Sequence, residues 1–343
     1  MCWAAGRWDS IRCGDGEESR ACSSEIVMDT GFLVVALIAG SVGTLALGLA
    51  AKWVDRKVTA RLQWRVGPPW YQAAVDCAKL LTKETLVPAV AQGTGFLMAP
   101  LIGFAGACVA ATMLWAMNLQ HDVGFVGDAI VVLYLFALPS LATILGAAAS
   151  GNPYASIGAS REMKLLIGYE LPLAIAFVVA IVHTGGSFRI GQIVGAQQSA
   201  HAVAASISGF LALAAAVLCM QAKLGLIPFD QAEAETELMG GVYIEYSGPP
   251  LAVIFLTRFL LLAALPILLI TLFWGGVQLI GWGALLSLAK FVTLLVVITL
   301  IRNTNPRLRI DQSLRFFWGA VTPVALLALA LALIGRHYKV GWL

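Results

Sequence analysis

The sequence has 343 residues and a formal net charge of +3, and 59% of its residues are hydrophobic while only 12% are charged. This charged fraction is about half that of an ordinary soluble domain, which excludes a water-soluble globular protein. Apolar runs of about 20 residues, enough to cross roughly 30 Å of hydrocarbon, recur through most of the chain. The sequence therefore predicts an all-α polytopic membrane protein.

The stretch that precedes the first apolar run differs in composition from the rest of the chain. Six of the 19 acidic residues and three of the six cysteines fall within residues 1–29. Acidic residues separate the arginines of this stretch from the first apolar run, which is not the order of a signal peptide. We predict a disordered tail over residues 1–28 and an integral membrane domain over residues 29–343, with Met28 as an alternative start of the biological chain.

The apolar periodicity predicts eight transmembrane helices. They are expected near residues 31–52, 95–117, 126–149, 162–183, 201–223, 250–272, 277–300 and 316–336. The four odd-numbered connections carry 14 Lys and Arg residues, against six in the tails and the even-numbered connections. Because basic residues favour the cytoplasmic side, these four loops are predicted to be cytoplasmic, with both termini on the outer side of the cell inner (plasma) membrane.

The first cytoplasmic loop contains Arg61 and Arg65 and then a stretch with helical periodicity from Tyr71 to Glu84. Apolar positions 71, 75, 78 and 81 lie opposite the polar residues Gln72, Asp76, Lys79 and Lys83. This pattern predicts an amphipathic helix on the membrane surface. It is either an interfacial anchor or one wall of a docking surface or cavity beneath a cytoplasmic partner.

The third cytoplasmic loop is rich in acidic residues and supplies most of the candidates for proton transfer. Asp230 and Glu233 have the spacing of a capping box and Gly240-Gly241 is a helix stop, so a short helix over 231–239 is predicted. The acidic candidates are Asp230, Glu233, Glu235, Glu237, Glu245 and, from the neighbouring helix, Glu170. Crowded carboxylates raise one another's pKa, which favours proton exchange near neutral pH. The alternatives are a solvated acidic loop and, for Glu233, a simple helix cap.

Three charged residues are predicted to lie within membrane helices. Glu170 follows Glu162 by eight residues, which places it roughly 12 Å further along the helix axis. Arg258 and Lys290 lie inside the sixth and seventh predicted helices. Since an isolated charge near the bilayer centre costs at least about 2.5 kcal/mol, such residues are functional candidates for proton transfer. The alternative is a structural pair of Glu170 with Lys290 or with Arg258.

No motif for a redox centre or a metal is present. The cysteines show no C-x-x-C spacing, the four histidines are scattered, and no Walker loop or dinucleotide fingerprint occurs. We therefore expect no cofactor bound by this chain and no catalysis by this chain alone. In the last cytoplasmic loop, Arg307, Arg309 and Asp311 either anchor the helix ends or form salt bridges to a partner subunit.

The two longest cytoplasmic loops closely resemble the respiratory-chain NADH dehydrogenase subunit 1 family, the heel subunit of complex I and of related hydrogenases. The matching elements are Arg61-x-Gln63-x-Arg65-x-Gly67-Pro68, Gln72-x-x-x-Asp76-x-x-Lys79-Leu80-x-x-Lys83-Glu84, Tyr169-Glu170, Pro228-Phe229-Asp230-x-x-Glu233-x-Glu235-x-Glu237, Glu245-Tyr246-Ser247-Gly248 and Pro306-Arg307-x-Arg309-x-Asp311. They span about residues 30 to 335 in the family's order. Within these motifs, the candidates for partner docking or for a cavity wall are Arg61, Arg65, Gln72, Asp76, Lys79, Lys83, Glu84, Pro228, Phe229, Tyr246, Arg307, Arg309 and Asp311.

Within the family, several features are similar to the energy-converting hydrogenase and formate hydrogenlyase branch. They are the direct run of Gly67-Pro68-Pro69 into the amphipathic helix, Met239-Gly240-Gly241, Asn303-Thr304-Asn305, and Arg258 where complex I subunits commonly carry a glutamate. Pro306 is more typical of complex I. We expect the hydrogenase branch, with a quinone-reducing NADH dehydrogenase as the alternative.

The resemblance implies a coupling subunit that links electron transfer in a docked cytoplasmic module to proton or sodium translocation. Hydrogenase-like large and small subunits and an iron–sulfur subunit would carry the NiFe centre and the iron–sulfur clusters, with antiporter-like membrane subunits alongside. In the quinone-reducing alternative, the third loop and the 71–84 helix would wall a quinone cavity. A non-redox scaffold subunit is the alternative from another class.

Overall fold

The computed structural model describes residues 30–121, 124–199, 201–279 and 281–338, apart from the side chains of 30–36, 39, 235 and 236. Within these ranges the chain is helical and has no strand. The helices are α1 (Thr30–Leu62), α2 (Gln72–Leu81), α3 (Gly93–Leu119), α4 (Asp128–Leu135), α5 (Leu138–Ala149), α6 (Pro153–His183), α7 (Ile190–Ser199), α8 (Ile207–Lys223), α9 (Glu235–Leu238), α10 (Gly248–Phe273), α11 (Trp282–Thr304), α12 (Ile310–Phe316) and α13 (Thr322–Tyr338). Short 3₁₀ turns cover Val203–Ala205 and Gly241–Tyr243, and a π-helical segment, Phe317–Val321, joins α12 to α13.

The predicted fold class, an all-α polytopic membrane protein, is confirmed. Six spans in the described part of the chain are long and apolar enough to cross a membrane, namely α3, α4 with α5, α6, α10, α11 and α12 with α13. The shorter apolar helix α8 corresponds to the fifth predicted span, and the first predicted span falls within α1. The predicted tail, residues 1–28, lies outside the described residues.

The largest error at the start of a helix concerns α6, which begins nine residues before the predicted start at 162. Asn152 caps this helix, because its side-chain oxygen accepts a hydrogen bond from the backbone N–H of Tyr154 at 2.8 Å. Pro153 then occupies the first turn, where a missing N–H costs nothing. Glu162 therefore lies nine residues inside the helix and not at its first residue.

Helix α10 occupies the centre of the bundle, and residues 259–273 are all buried. Helix α1 packs directly on its backbone, since a Cβ atom at Gly48 would collide with the carbonyl oxygen of Phe259. This close approach brings the C-terminal half of α1 beside α10 and beside the C-terminal end of α11. It positions three charged side chains of α1 and α11 next to one another, as described below.

The four odd-numbered connections meet at one end of the bundle, which we call the charged end; it comprises residues 63–92, 150–152, 224–247 and 305–309. Asn152 donates a 2.5 Å hydrogen bond to Glu245, and the backbone N–H of Leu308 donates to the carbonyl of Pro228 at 3.1 Å. The sequence-based grouping of these loops is therefore correct.

At the charged end, the structure confirms the predicted amphipathic helix and corrects the predicted helix of the third loop. The amphipathic helix is confirmed as α2, but its buried side carries Ala73 and Cys77, whereas Tyr71 and Leu81 of the predicted apolar stripe are exposed. The predicted helix 231–239 is wrong, because only the four residues of α9 are helical. Its predicted capping residues are engaged in long-range ion pairs, which replace the local capping box.

Candidate functional site

A groove of about 600 Å³ opens at the charged end between α1, α2, α10 and the loop that follows α8. Leu80, Phe255, Phe259 and Leu262 form its apolar wall. The charged residues that line it are Lys52, Arg56, Asp76, Lys79, Lys83, Asp230, Glu233, Arg258, Arg302 and Arg307. The groove therefore combines an apolar wall with an excess of positive charge.

Two ion-pair clusters organise one side of this groove. Arg56 pairs with Asp76 at 3.3 Å, and Gln72 donates a 2.8 Å hydrogen bond to the same carboxylate. Deeper in the bundle, Asp55 accepts from Lys52 at 3.1 Å and from Arg302 at 2.6 Å. The Asp55 side chain is only 3% exposed, so these two cations provide the compensation that a buried carboxylate requires.

The ion pair between Arg258 and Glu233 divides the groove from a second, smaller cavity of about 60 Å³. Both residues line both cavities, and the Arg258 guanidinium stacks 4.7 Å from the ring centre of Tyr243. Burial, together with the charge of Glu162, raises the pKa of Tyr243, which keeps this hydroxyl protonated. Gly225 has a φ of +60° and lies against Glu233, where a Cβ would crowd the carboxylate.

A chain of buried polar groups continues from the smaller cavity into the membrane helices. Glu162 and Lys223 line the cavity, and Lys223 pairs with Glu170 at 3.4 Å. The same ammonium group lies 5.3 Å from the ring centre of Tyr169, whose hydroxyl is 3.2 Å from the hydroxyl of Ser140. One oxygen of Glu170 has no hydrogen-bond partner within the described protein. Titratable and hydroxyl side chains thus lie close to one another from the smaller cavity into the membrane helices.

A third cavity, of about 370 Å³, lies at the surface of the charged end. It is lined mainly by the loop after α8 and by the loop between α11 and α12. Arg161 bonds Glu237 at 2.5 Å, and Arg307 bonds Asp230 at 2.8 Å. The hydrogen bond from Arg161, with its charge, lowers the pKa of Glu237. Arg309 and Asp311 line the same cavity.

The predicted mutual repulsion of crowded acids is therefore wrong for the described side chains, because each acid has its own partner. Glu170 pairs with Lys223, Asp230 with Arg307, Glu233 with Arg258, Glu237 with Arg161, and Glu245 with Asn152. The side chain of Glu235 lies outside the described residues. The sequence shows the acids close together in one loop, whereas their partners come from separate elements of the bundle.

The predicted structural pairs of Glu170 with Lys290 or Arg258 are also wrong. Lys290 lies toward the opposite end of the bundle, where its ammonium group donates a 2.6 Å hydrogen bond to the carbonyl of Trp274. Trp274 is the C-cap residue that follows α10, so Lys290 caps the C-terminus of this helix. The structure thus separates Lys290 from the other proton-transfer candidates.

The remaining predicted residues divide between packing and exposure. Tyr246 donates to the carbonyl of Phe96 at 3.0 Å and lines the smaller cavity. Pro228 follows a cis peptide bond from Ile227, and the next residue, Phe229, packs on Phe317 with ring centres 4.8 Å apart. The docking candidates Arg61, Arg65, Glu84, Arg309 and Asp311 are exposed, as are Lys79, Lys83 and Arg307 at the cavities described above.

Sequence reasoning missed the central members of the site. Lys223 ends an apolar run and counts there as one loop cation, yet it is the partner of Glu170. Glu162 and Tyr169 were not candidates, since the first stands at the predicted start of its helix and the second is an ordinary aromatic residue within an apolar stretch. The spacing of Glu162, Tyr169 and Glu170 on one long helix is the signal that could have identified them.

Comparison with known proteins yields matches that cover nearly the whole chain. Residues 22–333 match the family model described as NADH dehydrogenase. The H subunit of the NADH-quinone oxidoreductase from Brevibacillus brevis is 33% identical over 331 residues, covering 90% of this chain and 94% of that protein. The protein of the same name from Thermomicrobium roseum is 34% identical, covering 92% and 99%.

A solved structure is also similar. It is a chain of the membrane-bound sulfane sulfur reductase, an archaeal respiratory membrane complex, with 26% identity and a TM-score of 0.79 over 87% of this chain and 99% of that chain. The expected hydrogenase branch finds no support in these relatives, because the two sequence relatives are named as parts of an NADH-quinone oxidoreductase.

Proposed function

Because the chain belongs to the NADH dehydrogenase subunit 1 family, we propose that it is the membrane subunit of a quinone-reducing, complex-I-like respiratory complex. The observation that carries this proposal is the 600 Å³ groove at the charged end, where an apolar wall adjoins a polar rim. A quinone has an apolar tail and a polar head, and both parts find matching surfaces here. The electrons come from redox centres in partner subunits.

The groove adjoins groups that can supply protons to a reduced quinone. Reduction to the quinol takes up two electrons and two protons, so a proton source must lie near the reacting head group. Glu233 lines the groove and faces the smaller cavity that contains Glu162 and Lys223. A change of charge in the groove alters the interaction between Glu233 and Arg258, and through the cavity it alters the balance of the Lys223–Glu170 pair.

The proposed orientation follows from the distribution of basic residues. The charged end faces the cytoplasm and both termini face outward across the plasma membrane. Redox subunits dock over the surface cavity and the exposed loop of Arg61 and Arg65, and antiporter-like subunits adjoin the membrane face. Such an arrangement places electron transfer directly above the groove.

A groove-filling variant tests quinone binding. We expect Phe255→Trp to raise the KM for a long-tailed quinone severalfold in membranes that contain the assembled complex, since the larger ring narrows the apolar wall. Phe210→Trp is the matched control, because Phe210 lies on α8 with its side chain 62% exposed and away from the groove. A photoreactive quinone should label this groove. An unchanged KM together with labelling elsewhere would refute the proposal.

A second variant tests the coupling through Arg258. Arg258→Gln removes the cation of the ion pair with Glu233 that separates the groove from the smaller cavity. We expect electron transfer to persist while proton uptake per electron falls in membrane vesicles. Arg315→Gln is the control, since Arg315 is exposed and has no ion pair in the described protein. If both variants acidify vesicles equally at equal electron-transfer rates, the ion pair of Arg258 and Glu233 does not couple electron transfer to proton uptake.

A reaction with another acceptor is the second candidate function. The solved chain with the same fold belongs to a sulfane sulfur reductase complex, and Arg258 adds a cation to the groove wall. This alternative predicts that membranes reduce a sulfane sulfur compound and that quinone analogues do not inhibit the reaction. Quinone-dependent, inhibitor-sensitive oxidation of NADH excludes it.

A further inference from the structure

The groove holds more positive charge than its own acids can balance. Seven cations line it, but only Asp76, Asp230 and Glu233 line it as acids. Asp55, just behind the wall, neutralises one further charge through Lys52 and Arg302. The groove therefore has an excess of three positive charges, whereas a neutral ligand needs none.

The uncompensated charge is concentrated at the mouth. Lys79 lies in the last turn of α2 and Lys83 follows it by four residues, and both side chains are exposed. Neither lysine has an ion pair among the described residues, in contrast to Arg56, which bonds Asp76 across the same wall. An anionic group at the mouth would meet two ammonium groups that no acid already occupies.

The apolar wall extends from this mouth into the depth of the bilayer. Phe255, Phe259 and Leu262 follow one another along α10, and Leu262 lies 14 residues after the start of that helix at Gly248, roughly 21 Å along its axis. A ligand that matches the whole groove thus has an anionic head and a long hydrocarbon tail.

We propose that the groove binds an anionic phospholipid, with its phosphate at Lys79 and Lys83 and one acyl chain along Phe255, Phe259 and Leu262. Basic pockets between membrane helices on the cytoplasmic side recognise anionic lipid head groups by this combination of charge and apolar contact. The site does not depend on the acceptor of the redox reaction, since the lysines lie at the mouth. The acyl chain and a quinone tail would share the apolar wall, so a lipid and a quinone compete for that part of the groove.

The test is a lipid titration of the delipidated complex, purified in detergent through a tag on this chain. Native mass spectrometry gives the fraction of complex that retains one added lipid. We expect phosphatidylglycerol to bind more tightly than phosphatidylcholine of the same chain length. Lys79→Gln and Lys83→Gln should each weaken phosphatidylglycerol binding about fivefold, since one basic residue near the surface contributes roughly that factor.

Lys164→Gln provides the matched control, because Lys164 is an exposed lysine of α6 that does not line the groove. It should leave the phosphatidylglycerol affinity unchanged. Inorganic phosphate should not displace the lipid at equal concentration, because it lacks the acyl chain. Equal affinity for the two lipids, equal loss in all three variants, or full displacement by inorganic phosphate would each overturn the proposal, and none of these results bears on quinone reduction.

Discussion

The buried pair of Lys223 and Glu170 offers the sharpest test of the site's energetics. The two charged atoms are 3.4 Å apart, and at an effective dielectric constant of about 20 their attraction is about 5 kcal/mol before desolvation is subtracted. Removing one partner from a buried pair costs about 3–5 kcal/mol. Because the Glu170 side chain is 22% exposed, the lower end of that range applies.

The two single variants should differ in a way that the burial predicts. Glu170→Gln leaves an ammonium group that is 1% exposed beside the Tyr169 ring, so we expect a loss of about 3 kcal/mol. Lys223→Met leaves a carboxylate with partial access to the cavity, which solvates part of the charge, so we expect a loss somewhat below that range, about 2 kcal/mol. The double variant removes both charges and should lose less than the two single losses combined, which gives a coupling energy of about 2 kcal/mol.

The measurement is thermal unfolding of the purified protein. Unfolding is monitored by the reaction of a fluorescent maleimide with the thiols of Cys77 and Cys219, which are buried in the folded protein. The exposed pair of Arg161 and Glu237 is the control, and its double-variant cycle should give at most about 1 kcal/mol. If the Lys223–Glu170 coupling is no larger than that of the exposed pair, the buried pair is not an energetic unit.

Two further substitutions test parts of the structure outside the acid chain. Lys290→Met removes the 2.6 Å hydrogen bond to the carbonyl of Trp274, so we expect the free energy of unfolding to fall by about 1.5–3 kcal/mol while proton uptake per electron is preserved. Lost proton uptake at unchanged stability would instead support a proton-transfer role for Lys290. Gly48→Ala should lower the unfolding temperature through a collision with the backbone of Phe259, at a cost of about 1–3 kcal/mol, whereas Gly43→Ala faces open space and should be neutral; equal effects would contradict the packing of α1 on α10.

The fold was largely predictable because membrane spans are set by local composition. Every predicted span overlaps a helix, and the basic residues grouped the four loops that meet at the charged end. The errors arise where a tertiary interaction replaces a local preference. Asp230 and Glu233 have the spacing of a capping box, yet Arg307 and Arg258 bind them from positions far along the chain.

The sequence identified the acidic residues of the candidate site but not the cations that pair with them. A carboxylate within an apolar run stands out in the sequence, which is why Glu170 was identified. Its partner Lys223 lies at the end of another helix, where a lysine has an ordinary explanation as an anchor. The burial of both groups depends on the packing of α6 against α8, and periodicity along one helix contains no information about that contact.

Pairing changes what a proton path through this protein requires. If the acids repelled one another, each would titrate according to its carboxylate neighbours, and neutralising any one would shift the rest. Here Glu233 and Glu170 each face a cation and not another carboxylate, so the interaction that a change of charge would alter first is an ion pair. A negative charge that develops in the groove can attract Arg258 directly, since that residue lines both cavities. Under the proposed function, Glu233 released from Arg258 accepts a proton at the boundary of the cavity that Glu162 and Lys223 line, and the arginine is the first group to respond to electron transfer.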